Sequence, residues 1–81
     1  MQIEILGMGC AKCELLARRV NAIVNELGLD ADVRKITDIV EIADRGVLMT
    51  PALSIDGEVK LAGTAGSADE IRTLLVEAAQ G

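Results

Sequence analysis

The chain has 81 residues, eight Lys and Arg against 13 Asp and Glu, a net charge of −5, two cysteines, and no His, Phe, Tyr or Trp. Such an acidic chain lacks the basic footprint of phosphate binding and any ring on which a base can stack, which argues against nucleic-acid binding. Without imidazole, histidine catalysis and His-containing zinc sites are excluded, so sulfur is left to carry the chemistry.

At this length one domain spanning residues 1–81 is expected, able to remove about 60% of its unfolded surface from water. Its core must be built from Leu, Ile, Val, Ala and Met. The opening Met1-Gln2-Ile3-Glu4-Ile5-Leu6 has neither a basic n-region nor a long apolar run. No signal peptide or membrane span is therefore expected, and the cytoplasm is the default location.

Ile3 to Leu6 predicts a short strand, ended by Gly7-Met8-Gly9, whose glycines permit the backbone angles of a tight loop. A helix follows, with Cys13, Leu16, Val20, Ile23 and Leu27 on its inward face and Gly28 placed to end it. Ala31 to Ile36 predicts a second strand. Thr37-Asp38 offers a cap for a short helix that presents Ile39, Ile42 and Ala43 before Gly46. Pro51 lacks a ladder donor and is expected to open an edge strand, its peptide bond trans on bond statistics. Ala52 to Ile55, Asp56-Gly57 and Glu58 to Ala62 predict a hairpin with a two-residue turn. The last helix starts at Ser67, with Glu70 completing a capping box, and buries Ile71, Leu74, Leu75 and Ala78.

The order is thus β-α-β-α-β-β-α. A βαβ crossover makes the first two strands parallel neighbours, with the hairpin adding an antiparallel pair on the other side. The result is an α/β fold, a four-stranded mixed sheet flanked by helices on both faces.

Cys10-Ala11-Lys12-Cys13 is the one constellation that carries chemistry. Cys10 stands where a helix begins, so free amide N–H groups and the helix dipole favour its thiolate over its thiol. Lys12 supports this with a cationic side chain, and Glu14 opposes it. Cys13, one turn on, should face the buried side and be less accessible, as a resolving thiol requires. Cys10 then attacks a substrate disulfide, and Cys13 attacks the Cys10 sulfur to release the second half and close an internal disulfide. Met49 reads as core filling or as part of an apolar rim that receives a substrate.

Cys10-x-x-Cys13 after the first strand, Gly46-Val47-x-x-Thr50-Pro51-Ala52 before the hairpin and Asp56-Gly57 in its turn resemble the small glutaredoxin-like thioredoxins, the redox-active disulfide proteins. The similarity spans nearly the whole chain. It implies a minimal thioredoxin fold without the extra N-terminal βα unit of full-length thioredoxins. It also implies a thiol–disulfide oxidoreductase with Cys10 as nucleophile, Cys13 as resolving thiol and Pro51 as a cis-proline opposite them. Thr50 and Pro51 would meet an extended protein substrate, with an upstream reductase resembling thioredoxin reductase, or glutathione, supplying electrons. A monomer without cofactor is expected. The alternative is a soft-metal domain that binds or transfers Cu(I), because Met8-Gly9-Cys10-Ala11-Lys12-Cys13 also fits the Met-x-Cys-x-x-Cys loop of metal-transfer domains. Those domains run β-α-β-β-α-β, without a helix after the second strand.

Overall fold

A computed structural model describes residues 1–80. Its elements are β1 (Gln2–Leu6), α1 (Ala11–Leu27), β2 (Asp32–Ile36), α2 (Ile39–Asp44), β3 (Ala52–Ile55), β4 (Glu58–Ala62) and α3 (Ala68–Gln80). This is the expected order, with a helix between β2 and the hairpin and a helix at the end, unlike the metal-transfer domains.

The sheet runs β2-β1-β3-β4, with β1 parallel to β2 and antiparallel to β3, and β3 antiparallel to β4. Alternation along a strand sends successive side chains to opposite faces, and β1 serves both. Ile3 and Ile5 join Leu16, Val20, Leu53, Ile71 and Leu75 in the larger core, beneath α1 and α3. Leu6 turns the other way and meets Ile36, Ile42, Val47 and Ala52 beneath α2. Glu4, also on that face, accepts a two-pronged ion pair from Arg45, at 2.7 and 2.9 Å.

Local chemistry sets the ends of the elements. Gly28, at φ 63°, closes α1, and the N–H groups of Gly28 and Leu29 donate to Asn25 and Val24. Asp56 and Gly57, at φ 50° and 84°, form the hairpin turn. At the start of α3 the capping box is complete: the Ser67 N–H donates to the Glu70 carboxylate and the Glu70 N–H to Ser67 Oγ, both at 3.1 Å.

Three expectations are corrected. Pro51 does not open an edge strand, since β3 lies inside the sheet between β1 and β4. The Thr50–Pro51 peptide is cis, as the family resemblance implies and against the bond statistics alone. Pro51 stands just before the strand, where its missing N–H leaves no gap in the ladder, and its carbonyl accepts from the Gly63 N–H at 2.9 Å. Ile39 is 62% exposed and is not core, because only Ile42 of the short α2 is buried against the sheet. Leu27, Leu74 and Ala78 are half-buried at the edge of the larger core, whereas Ala17 and Val24 are fully part of it.

Leu16 has no exposed surface and sits in the middle of the larger core. Leu16→Ala leaves a cavity under α1 and is expected to lower unfolding free energy by about 2–5 kcal/mol. Urea denaturation followed by circular dichroism measures this; a loss under about 1 kcal/mol would contradict the packing described.

Candidate active site

The Cys10 side chain occupies the N-cap of α1: its Sγ accepts from the Cys13 backbone N–H at 3.4 Å. The backbone at Cys10 is extended, φ −74° and ψ 169°, which turns the chain from the glycine loop into the helix and leaves the sulfur exposed. Cys13, one turn later, falls on the inward face and is 4% exposed. The two Sγ atoms are 2.9 Å apart and share a hydrogen bond.

The two thiols are pushed in opposite directions. The Cys13 side chain, donating to Cys10, holds the Cys10 thiol below its ordinary range, and the backbone N–H groups of Cys13 and Lys12 add to this. Burial raises the Cys13 thiol, and its bond to Cys10 raises it further. The Lys12 ammonium, expected to favour the thiolate, is not among the groups that lower Cys10. The side chain of Lys12 is directed into solvent with the rest of that exposed residue.

Gly7 is the residue that sequence reasoning misassigned. It is Gly9, at φ 84°, that needs a positive φ in this loop. Gly7 is needed for space, since a Cβ there would lie 2.2 Å from Cys13 Sγ and 3.2 Å from Cys13 Cβ. The same hypothetical Cβ would be 3.8 Å from Pro51 Cα, so Gly7, Cys13 and Pro51 are brought together at the ends of β1, α1 and the loop before β3. Nothing in the local sequence distinguishes a glycine kept for space from one kept for its backbone angles.

Thr50 is exposed while Pro51 is buried. Thr50 lines a groove of about 260 Å³ with Met8, Ile39, Ile42, Val47 and Leu48. Met49 is 63% exposed, which removes its core-filling role; it lies against Gly63, on the rim.

Gly7→Ala is expected to destabilise the reduced protein by about 1–3 kcal/mol through overpacking. In a Cys13→Ala background the same substitution should cost much less, because Sγ is gone and only the 3.2 Å contact with the Cβ of residue 13 remains. A double-mutant cycle by urea denaturation checks this, and additive losses would show that Gly7 is needed for some other reason.

The family model described as thioredoxin domain matches residues 1–76. A thioredoxin of Methanothermobacter thermautotrophicus is 40% identical over 75 residues, covering 93% of this chain and 97% of that protein. A thioredoxin of Methanocaldococcus jannaschii is 40% identical over 70 residues, covering 86% of this chain and 80% of the relative. With its β-α-β-α-β-β-α order and its pair of adjacent thiols at the start of the first helix, the chain belongs to the thioredoxin family of thiol–disulfide oxidoreductases.

Proposed function

We propose that the chain exchanges disulfides with protein substrates, with Cys10 as nucleophile and Cys13 as resolving thiol. The observation that carries this reading is the inequality of the two thiols: one exposed and favoured as thiolate, the other buried and held protonated 2.9 Å away.

In the first step the Cys10 thiolate attacks one sulfur of a substrate disulfide. A Cys10–substrate bond forms, the substrate S–S bond breaks, and the departing sulfur leaves as a thiolate that takes a proton from solvent. Cys13 then loses its proton and attacks Cys10 Sγ, which forms the Cys10–Cys13 disulfide and releases the second substrate thiol. Two electrons pass to the substrate. An upstream reductase of the thioredoxin-reductase type, or glutathione, returns them.

Thr50 is proposed to meet the substrate as an extended segment, with the buried Pro51 holding its backbone from behind, because the backbone ahead of β3 lies beside the cysteine helix and Thr50 is exposed there. Large exposed apolar residues share the groove with Thr50: Met8, Ile39 and Leu48, with Leu48 97% exposed, and the exposed Met49 precedes it in the chain. Such a concentration suits contact with a protein chain. The proposed setting is a monomer in the cytoplasm, where thiol pairs are kept reducible. No helix among the described residues is long and apolar enough to cross a membrane.

Alkylation of the reduced protein at a series of pH values, resolved by mass spectrometry, tests the unequal thiols. A thiol reacts as its thiolate, so Cys10 should show a midpoint below the free-thiol value of about 8.5 and Cys13 one above it. Cys13→Ala removes the donor that holds Cys10 low, so the Cys10 midpoint should rise. Two equal midpoints would rule out the assignment.

Substrate trapping tests the roles. Cys13→Ser should accumulate a mixed disulfide through Cys10 with protein substrates, and Cys10→Ser should accumulate none. Equal yields from the two variants would overturn the division of labour.

A further inference from the structure

A helix of six residues does not keep its shape or its place alone, so α2 depends on what fastens it to the sheet. Its apolar anchor is small: Ile42 is its one buried residue, set among Leu6, Ile36, Val47 and Ala52. Ile39 and Val40 are exposed and supply no second anchor. The other fastening is polar. Arg45, at the C-terminal end of α2, reaches across to β1 and donates to both carboxylate oxygens of Glu4, at 2.7 and 2.9 Å. Its Nη1 also donates to the Glu41 carbonyl at 3.1 Å, which keeps the guanidinium against its own helix. Among the described residues, no other side chain of α2 or its caps makes a hydrogen bond or ion pair with the sheet.

The same helix is a wall of the groove. Ile39, Ile42 and Ala43 line one part of it, and Met8, Leu48 and Thr50 complete it. Met8 stands two residues before Cys10, and Thr50 directly before Pro51, so the groove adjoins the loop that carries the exposed sulfur. Residues flanking a substrate cysteine bonded to Cys10 can enter it after a short length of extended chain. The position of α2 therefore sets the width of a surface that a protein substrate uses and a small disulfide does not.

We infer that the Glu4–Arg45 pair holds α2 as this wall and thereby governs how well the site accepts protein disulfides relative to small ones. The inference rests on the proposed reading that the substrates are protein chains lying beside Thr50. Glu4 and Arg45 are positioning residues: they act through Ile39, Ile42 and Ala43, and neither is hydrogen-bonded to a thiol. A surface ion pair adds little to global stability. This one is partly buried and two-pronged, so it fixes orientation as well as distance. A helix held by one apolar side chain and one such pair shifts when the pair is removed, and the groove shifts with it.

The test compares two disulfides. The reduced full chain is reacted with oxidised insulin, read by acid quenching, alkylation and mass spectrometry. In parallel it is reacted with 5,5′-dithiobis(2-nitrobenzoate), a small disulfide with no flanking chain, read by the coloured thionitrobenzoate. Arg45→Met is expected to lower the rate constant for insulin about 5-fold, the factor for losing an ion pair at the upper end of surface values. The rate constant for the small disulfide should stay unchanged, which also reports an intact site. Arg45→Lys keeps the charge without the two-pronged geometry and should fall between Arg45→Met and the parent chain. In an Ile39→Ser background, where the groove wall is already impaired, the effect of Arg45→Met on insulin should shrink. An unchanged insulin rate in Arg45→Met would overturn the inference, as would equal slowing with both disulfides or full additivity with Ile39→Ser. A parent chain that reduces insulin no faster than free dithiothreitol would overturn the protein-substrate reading itself, and this inference with it.

Discussion

The chemistry of this protein depends on where one thiol is held. Cys13 donates to Cys10 because α1 carries it inward against Gly7, and burial keeps it a thiol and hence a donor. The two directions of shift therefore have a common origin. The contact that lowers Cys10 is the contact that raises Cys13, so an exposed Cys13 would weaken both: solvent would compete for its proton, and Cys10 would lose its main stabilising partner. A Cys-x-x-Cys spacing alone does not produce this asymmetry. It requires one sulfur at the helix cap and the other on the buried seam.

That seam is provided by a core built without aromatic rings. With Leu, Ile and Val supplying the volume, close packing demands that helices lie tightly on the sheet, and small residues are needed where backbone and side chain approach. Gly7 is such a residue at the top of β1, and Ala17 and Ala52 lie buried in the two core layers. The parallel β1–β2 pair and the antiparallel β1–β3 pair place β1 at the centre. Its end thus meets the start of α1 and the entry to β3, which is why residues far apart in the chain, Gly7, Cys13 and Pro51, converge.

The features legible in the sequence were those set by local rules. The three-four spacing of α1, the Asp56-Gly57 turn and the Ser67–Glu70 box each involve residues within one element or turn, so pattern alone identifies them. What was not legible depended on contacts across elements. Ile39 fits the apolar face of a short helix, but α2 has a single turn's worth of contact with the sheet and Ile42 takes it. Pro51 reads as an edge residue until strand order is known, and β3 is interior only because β1 pairs with it. Lys12 reads as a cation near a thiol, but its exposed ammonium is not among the groups that lower Cys10. For Ile39 and Pro51 the contact that decides the outcome lies in a different part of the chain.

Charge follows a similar division. Arg34, Lys35, Arg45, Lys60 and Arg72 each face a carboxylate within 3.3 Å, and the Arg19 guanidinium donates to the Gly66 carbonyl. Most of these pairs are exposed and add little stability individually, but Arg45–Glu4 and Arg72–Glu26 are two-pronged and join distant segments. Around Cys10, Lys12 is charged and exposed, and apolar side chains stand beyond it, from Met8 on one side to Leu48 and Met49 on the other. Displacing water from the apolar part of this rim carries no penalty for stripping ions. On the proposed roles, the exposed thiolate marks where exchange begins, and the buried thiol beneath it determines how long the intermediate lasts.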